Sequence, residues 1–151
     1  MYKEKPRGFS VIFAYLDKDI AIPQRSTPES AGYDIEAAAE TIVPAGGTAI
    51  CETGLKAYMQ KGEVLKIYAR SSLYKRGLML ANGVGVIDSD YCDNPENEGH
   101  IKIILYNYTH FDVAVSKGER IAQGIFEKYL ASPDEEIRFL SRKGGIGSTG
   151  R

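Results

Sequence analysis

The sequence predicts an all-β fold, a distorted jelly-roll of short, mostly antiparallel strands with one short helix. Helical periodicity is nearly absent, whereas short alternating runs rich in β-branched and aromatic residues recur along the chain. Gly- and Pro-containing turn signals separate these runs, as in sandwiches and jelly-rolls. The predicted strands are Ser10–Leu16, Thr48–Tyr58, Glu63–Ala69, Ile101–Asn107 and Arg120–Tyr129.

The predicted helix covers Ser71–Arg76. It begins with two serines, which are favoured capping residues, and it stops at Gly77, a residue type common just after a helix end.

The length of 151 residues suits one domain, which we assign to residues 1–151. Residues 1–9 are interpreted as an N-terminal extension. Residues 141–151 are Gly-rich and contain few apolar side chains, so we expect a mobile C-terminal arm.

Charge and cysteine content exclude several classes of protein. The formal net charge of −1 predicts no general attraction to nucleic acid or to an anionic membrane. The two cysteines, Cys51 and Cys92, have no zinc-site or disulfide spacing, and we interpret them as reduced thiols. The chain has no apolar signal segment and no apolar run of membrane-helix length, so we expect a cytoplasmic protein.

Arg70-Ser71-Ser72 stands where a predicted strand leads into the helix. Unpaired N–H groups, two hydroxyls and a guanidinium at such a junction favour a phosphate-binding cradle. The alternative is an ordinary serine cap beside a surface arginine.

A glycine-punctuated apolar run, Gly83–Tyr91, carries Asp88 directly after Val86 and Ile87. A carboxylate that follows buried residues is poorly solvated, so its pKa can be tuned for proton abstraction. The alternative is a hairpin whose turn is decorated by aspartate.

Two further segments have a polar group in an informative place. Gln123 follows the turn at Gly118 and lies on an apolar-patterned strand face, so its amide needs a partner, either a ligand or another part of the protein.

The tail 142–150 combines Arg142 and Lys143 with glycines that let N–H groups approach an anion. Its alternative is a disordered solubilising tail.

Taken together, five segments in order resemble the motifs of the trimeric dUTPase family, which hydrolyses dUTP to dUMP and pyrophosphate. The resemblance spans residues ~30 to 151, and five motifs in order are far more specific than any one of them. The matching segments are Ala31–Ile35, Arg70–Leu73, Gly85–Tyr91, Gly118–Gln123 and Gly144–Gly150.

The resemblance implies roles for single residues. Asp88 would be the general base that activates water for attack on the α-phosphate, and Asp34 would support the site by pairing with Arg70 or by touching metal-bound water. Tyr91 would stack under the deoxyribose and exclude a 2′-hydroxyl. The phosphate-binding positions would be Arg70, Ser71, Ser72, Gln123 and Arg142, and the arm would add Gly147, Ser148 and Thr149 to the substrate site.

Recognition of the base is also implied by the resemblance. A narrow hairpin would leave no room for the C5-methyl group of thymine. The residues that would contact uracil are Asn82, the backbone of Val86–Asp88 including Ile87, the facing strand near Lys102, and Ile146.

The family resemblance further implies a homotrimer with exchanged C-terminal arms, in which each active site draws on three chains. It implies Mg²⁺ as cofactor, held mainly by the triphosphate, with no direct protein ligand. Magnesium commonly keeps several waters and takes phosphate oxygens, so this arrangement suits it.

Three departures from the family pattern carry expectations of their own. An insertion of about six residues follows Tyr91, and with Glu98 it makes an acidic exposed segment, Cys92–Glu98, that could tune access or bind a protein partner. Ile146 replaces the usual aromatic, which predicts weaker arm closure and a higher KM, to be tested with Ile146→Phe. Arg142 lies one residue closer to the arm motif than in many members, with Lys143 as the alternative.

Two other functions remain open at this level. A dCTP deaminase shares the fold and an Arg-Ser-Ser segment, although its catalytic glutamate has no counterpart here. A regulatory protein that releases its partner according to dUTP occupancy is the other, and the Cys92–Glu98 segment is the feature that supports it.

Overall fold

A computed structural model describes residues 4–138, and within them nearly all regular structure is β-strand. The strands are β1 (Gly8–Val11), β2 (Gln24–Arg25), β3 (Tyr33–Glu36), β4 (Thr41–Val43), β5 (Thr48–Glu52), β6 (Leu55–Tyr58), β7 (Glu63–Ala69), β8 (Leu78–Leu80), β9 (Gly85–Asp88), β10 (Lys102–Asn107), β11 (Val113–Val115) and β12 (Arg120–Lys128).

The strands form a five-stranded sheet in the order β2-β3-β12-β7-β9 and a three-stranded sheet in the order β5-β10-β8. Two small sheets, β1-β6 and β4-β11, complete the fold. Every strand pairing in the described part of the chain is antiparallel. The predicted all-β, mostly antiparallel jelly-roll is therefore confirmed.

The strand predictions hold in the middle of the chain and shift at its start. Glu63–Ala69 has the predicted bounds. The predicted strand Thr48–Tyr58 is two strands, because the chain breaks at Gly54, whose φ of +70° lies in the left-handed region.

The predicted strand Ser10–Leu16 begins two residues earlier, at Gly8, and ends at Val11. Phe13–Tyr15 is a 3₁₀ helix instead. Gly8 and Phe9 were assigned to an N-terminal extension, but they pair with Tyr58 and Ala57. That boundary was wrong because burial of Phe9 in the core outweighs its terminal position.

The predicted helix is also shorter than expected, a 3₁₀ helix over Leu73–Arg76. It ends at Gly77, whose φ of +69° is left-handed as the glycine signal predicts. Ser72 makes no side-chain capping hydrogen bond, so the capping interpretation of that serine was wrong. Within residues 4–138, no helix has the length and apolar character needed to cross a membrane.

One hydrophobic cluster joins the sheets. It includes Leu65 and Ile67 of β7, Ile35 of β3 and Leu105 of β10, all at most 2% exposed. Burial of each such side chain contributes about 1.5–3 kcal/mol relative to leaving it in water. The cluster fixes β3, β7 and β12 as a rigid platform, and the candidate site lies where these strands meet.

Candidate active site

Strand pairing brings together three of the five motifs. β12 lies between β3 and β7, and Gln123 is opposite Asp34 on one side and Tyr68 on the other. Arg70 follows the last residue of β7 directly. Residues far apart in the sequence thus meet at one end of three neighbouring strands.

An open cavity of about 320 Å³ lies at this meeting point. Its lining is mostly small and polar. The lining residues are Ser26, Ser30, Ala31, Gly32, Asp34, Arg70, Ser71, Gln123 and Ile125. We call this cavity the phosphate cradle, because serine hydroxyls and an arginine fork are the groups that bind phosphate oxygens in proteins.

Asp34 contacts two arginines, Arg70 of the cradle and the neighbouring Arg120. Its Oδ1 lies 3.0 Å from Arg70 Nε, and its Oδ2 lies 3.7 Å from Arg120 Nη1. The Ser26 hydroxyl donates to the same Oδ2 at 3.2 Å. The expected ion pair between Asp34 and Arg70 is present, and the same carboxylate also faces Arg120, which lies beside the cradle and does not line it.

Gln123 has a partner within the protein. Its Nε2 donates to the Ala69 carbonyl at 3.1 Å, so the alternative weighed for this amide is the one observed. Its Oε1 lies against Gly32, where an added Cβ would come within 2.1 Å of that oxygen. Gly32, directly before β3, therefore lets the chain pass close to the Gln123 side chain.

The two serines after Arg70 are exposed, and Ser71 lines the cavity. Arg70 also donates from Nη1 to the Arg120 carbonyl at 3.3 Å, which orients the guanidinium toward the turn between β11 and β12. The cradle thus presents exposed hydroxyls beside an arginine whose position is fixed.

β9 carries Asp88. It pairs with β7, and alternation along a strand places Val86 and Asp88 on the same face. Val86 is 59% exposed, so the expectation that both residues before Asp88 are buried was wrong for Val86. An exposed valine beside a half-buried carboxylate forms an apolar surface next to an acid.

The same register separates Asp88 from the cradle. Asp88 is opposite Val64, whereas the cradle begins after Ala69. Five residue steps at ~3.3 Å per residue put Asp88 on the order of 16 Å from the cradle along β7. Within residues 4–138, Asp88 is not among the residues that line the cavity formed by Arg70, Ser71 and Gln123.

The predicted narrow hairpin places the segment Val86–Asp88 opposite the strand near Lys102, and these two strands are not hydrogen-bonded to each other. β9 pairs with β7, whereas Lys102 begins β10, which pairs with β5 and β8 in another sheet. Lys102 Nζ lies 4.0 Å from Glu52. Asn82 is exposed in the turn before β9, with its Nδ2 close to Gly85. The two strands therefore belong to different sheets, and exclusion of a methyl group between them stays a prediction.

Tyr91 follows Asp88 in a tight turn, with its N–H donating to the Asp88 carbonyl at 3.1 Å. Its ring is half-buried, and its hydroxyl accepts a hydrogen bond from Asn97 in the segment that follows. That segment, Cys92–Glu98, is folded onto the protein by hydrogen bonds and ion pairs and is not an extended arm.

The arm residues Arg142, Ile146, Gly147, Ser148 and Thr149 lie outside the described residues, and their assignments stay predictions.

Sequence reasoning missed several contributors. Ser26 and Ser30 belong to a turn rich in Ser and Thr just before the first motif, and that composition could have indicated them. Lys56 contacts the Cys92–Glu98 segment from 37 residues away, and no local signal could have found it.

Comparison with known proteins agrees with this geometry. The dUTPase family model matches residues 18–150. The chain belongs to the dUTPase family. A curated relative, the deoxyuridine 5′-triphosphate nucleotidohydrolase of Lactococcus lactis subsp. lactis, is 52% identical over 97% of this chain and 99% of its own length.

Solved structures of the family have the same fold. The crystal structure of the dUTPase from Streptococcus mutans is 47% identical, with a TM-score of 0.79 over 83% of this chain and 98% of that one. A point mutant of the dUTPase from phage phi11 of S. aureus, whose structure shows the coordination of a structural Mg(II) ion, is 16% identical with a TM-score of 0.71 over 89% of this chain and 97% of that one. The second likeness concerns the fold alone.

Proposed function

We propose that this chain hydrolyses dUTP to dUMP and pyrophosphate, with Asp88 activating the water that attacks the α-phosphate. The observation that carries the proposal is the phosphate cradle, in which Asp34, Arg70 and Gln123 from three separate motifs of the dUTPase family converge on one cavity. Membership of that family gives the reaction.

The cradle supplies electrostatic stabilisation. Arg70 is held by Asp34 at 3.0 Å, so its fork is positioned before substrate arrives. Phosphate transfer needs little covalent chemistry from a protein, because positioning and charge neutralisation lower most of the barrier. The exposed hydroxyls of Ser71 and Ser72 would donate to phosphate oxygens.

Asp88 would act as general base. A carboxylate can accept a proton from water when it lies within hydrogen-bond reach, and such assistance contributes about 10²–10⁴-fold. Val86, on the same strand face, would cover one side of the nucleotide. Asn82, the backbone at Ile87 and the strand at Lys102 are the proposed uracil contacts, and Tyr91 is the proposed sugar contact.

Mg²⁺ is the proposed cofactor, and the donor set fits contact through water. Both oxygens of Asp34 already interact with Arg70, Arg120 and Ser26, which leaves this carboxylate poorly placed for direct coordination. When bound to the triphosphate, the ion would supply positive charge that offsets the charge of the phosphate oxygens.

A homotrimer with active sites shared between chains is proposed on two observations. The first is the distance of Asp88 from the cradle within one chain. The second is the outer face of the three-stranded sheet, where Ile50 and Met79 are 53% and 47% exposed and pair with Ile104 and Tyr106. An exposed apolar face of this kind is typical of a subunit contact.

The cytoplasm, of the host if the source is a virus, is the proposed location. Cys51 and Cys92 are both free thiols, which fits a reducing compartment. The alternative of a dUTP-gated partner-binding protein gains little support from the Cys92–Glu98 segment, because two of its three acidic side chains, Asp93 and Glu98, are engaged by Lys56.

Turnover by purified protein of dUTP, dTTP, dCTP and UTP tests the proposal. We expect strong preference for dUTP, release of pyrophosphate, and no ammonia from dCTP. Asp88→Asn should lower kcat at least ~10²-fold while a non-hydrolysable dUTP analogue still binds. Ammonia release from dCTP would indicate a deaminase, and comparable hydrolysis of dTTP would reject exclusion of the methyl group.

A further inference from the structure

The segment Cys92–Glu98, which we call the brace, closes on itself. The Asp93 N–H donates to the Glu98 carbonyl at 3.1 Å, and the Glu98 N–H donates to the Asn94 carbonyl at 2.7 Å. The Asn94 N–H donates back to the Tyr91 carbonyl at 3.2 Å. Asn94 is only 4% exposed although it lies in an insertion. The brace is therefore a compact turn with its own buried residue.

A lysine anchors the brace to the β-sheet. Lys56 of β6 has a side chain that is 9% exposed, and its Nζ lies 2.6 Å from Asp93 Oδ1 and 2.8 Å from Glu98 Oε1. The other Glu98 oxygen accepts the Phe13 N–H at 2.9 Å. Lys56 lowers the pKa of Glu98 mainly by its hydrogen bond, which keeps that carboxylate charged.

The anchored brace holds the Tyr91 hydroxyl from two sides. Tyr91 Oη donates to the His100 carbonyl at 2.7 Å. It accepts from Asn97 Nδ2 at 3.0 Å. Asn97 Oδ1 in turn accepts the Gly99 N–H at 2.9 Å, which fixes the amide orientation. The far end of the tyrosine ring thus has a donor and an acceptor in fixed positions.

We propose that the brace positions Tyr91 for rejection of the 2′-hydroxyl, and that Asn97 is the positioning residue. The inference rests on the proposed function, which assigns Tyr91 to the deoxyribose. Steric rejection of the 2′-hydroxyl requires that the Tyr91 ring stays in one position. A tyrosine held only at its Cα can change rotamer at little cost, whereas a ring tethered at its hydroxyl must also break hydrogen bonds.

The experiment compares kcat/KM for dUTP with kcat/KM for UTP in the full-length protein. Both nucleotides carry the same base and triphosphate, so their ratio isolates the sugar. Asn97→Ala removes both contacts of the amide. Asn97→Asp keeps an acceptor for the Gly99 N–H and loses the donor to Tyr91, so it is the variant that better preserves the fold. Glu96→Ala is the matched control, because that exposed residue contributes its backbone N–H to the brace.

We expect both Asn97 variants to lower the dUTP/UTP ratio about three- to tenfold, the range of one lost hydrogen bond, with kcat for dUTP changed less than twofold. Glu96→Ala should leave the ratio unchanged. In a Tyr91→Phe background, Asn97→Ala should have no further effect on the ratio, because the shared contact is already lost.

An unchanged ratio in Asn97→Asp, or full additivity with Tyr91→Phe, would overturn the positioning role. Failure of the wild-type protein to hydrolyse dUTP would reject the proposed function instead. The two failures are therefore distinguishable in one set of assays.

Discussion

The two ends of β7 carry opposite kinds of polar structure. At the Ala69 end lies the phosphate cradle, where the serines after Arg70 are exposed around an open cavity. At the Val64 end lie Asp88 and then Tyr91 with its brace, where Asn94 and His100 are buried and hydrogen-bonded. The polar groups at the Ala69 end are therefore exposed to solvent, whereas those at the Val64 end are largely buried and hydrogen-bonded within the protein.

The difference separates polar groups that are free to bind a ligand from polar groups that hold part of the binding surface in place. Within residues 4–138, every buried side-chain nitrogen or oxygen has a hydrogen-bond partner. The brace is hydrogen-bonded within itself and to Lys56 and the Phe13 N–H, so it is rigid before substrate binds. The cradle leaves hydroxyls exposed to water, and phosphate oxygens can replace that water at little cost.

The separation of the two ends can be tested by mixing chains. Asp88→Asn and Arg70→Ala, each alone, should lower kcat/KM about 10²-fold, through loss of the base or of a charged hydrogen bond. Co-expressed with different tags and purified through both, the mixed trimers should recover about a third of wild-type activity, because one interface in three pairs an intact Asp88 with an intact Arg70. Activity no higher than in either single variant would mean that each chain builds its own site.

Close packing of the brace can be tested by the effect of Gly99→Ala on the free energy of unfolding. The φ of Gly99 is +82°, and an added Cβ would lie 2.6 Å from the Tyr91 carbonyl oxygen. Gly62 has a similar φ of +85° with nothing within 4 Å, which makes it a matched control. We expect Gly62→Ala to cost about 1 kcal/mol in free energy of unfolding and Gly99→Ala to cost about 3 kcal/mol. Equal losses in urea unfolding would show that the backbone conformation alone matters.

The smallest expected effect is a loss of thermal stability at low pH, caused by protonation of His100 beside the brace. His100 Nε2 accepts the Gly54 N–H at 2.9 Å, and its ring packs on Tyr15 at 5.2 Å between centroids. Burial lowers the pKa of His100 below its ordinary 6.5, against the opposing effect of Glu52 and Glu98 and with that of Lys102. On acidification the unfolded chain therefore takes up the proton first.

The stability contributed by neutral His100 is thus complete above about pH 7 and is lost as the pH falls through 6.5 toward the folded-state pKa. His100→Gln does not titrate in this range. We expect the midpoint of thermal unfolding to drop by about 2–5 °C more in the wild type than in the variant between pH 7.5 and pH 5. Parallel pH dependence of the two midpoints would assign the acid sensitivity to other groups.

Prediction from sequence succeeded where local chemistry is decisive. The glycine after Arg76 ends its helix, and the alternating run Glu63–Ala69 is a strand with the predicted bounds. It failed at Gly8 and Phe9, where burial in the core recruits a terminal segment. It also failed at Val86, because exposure depends on what lies opposite a strand and not on the strand's own pattern.

The sequence by itself determined the all-β class, the family and the identity of the chemical groups, because alternation, turn residues and motif order are local properties of the chain. Only the tertiary structure decided that Asp34, Arg70 and Gln123 share a cavity while Asp88 lies apart from it. It also turned an apparently exposed insertion into a brace held by a buried lysine. The physical reason is that strand register and long-range ion pairs depend on residues tens of positions away, which no local window contains.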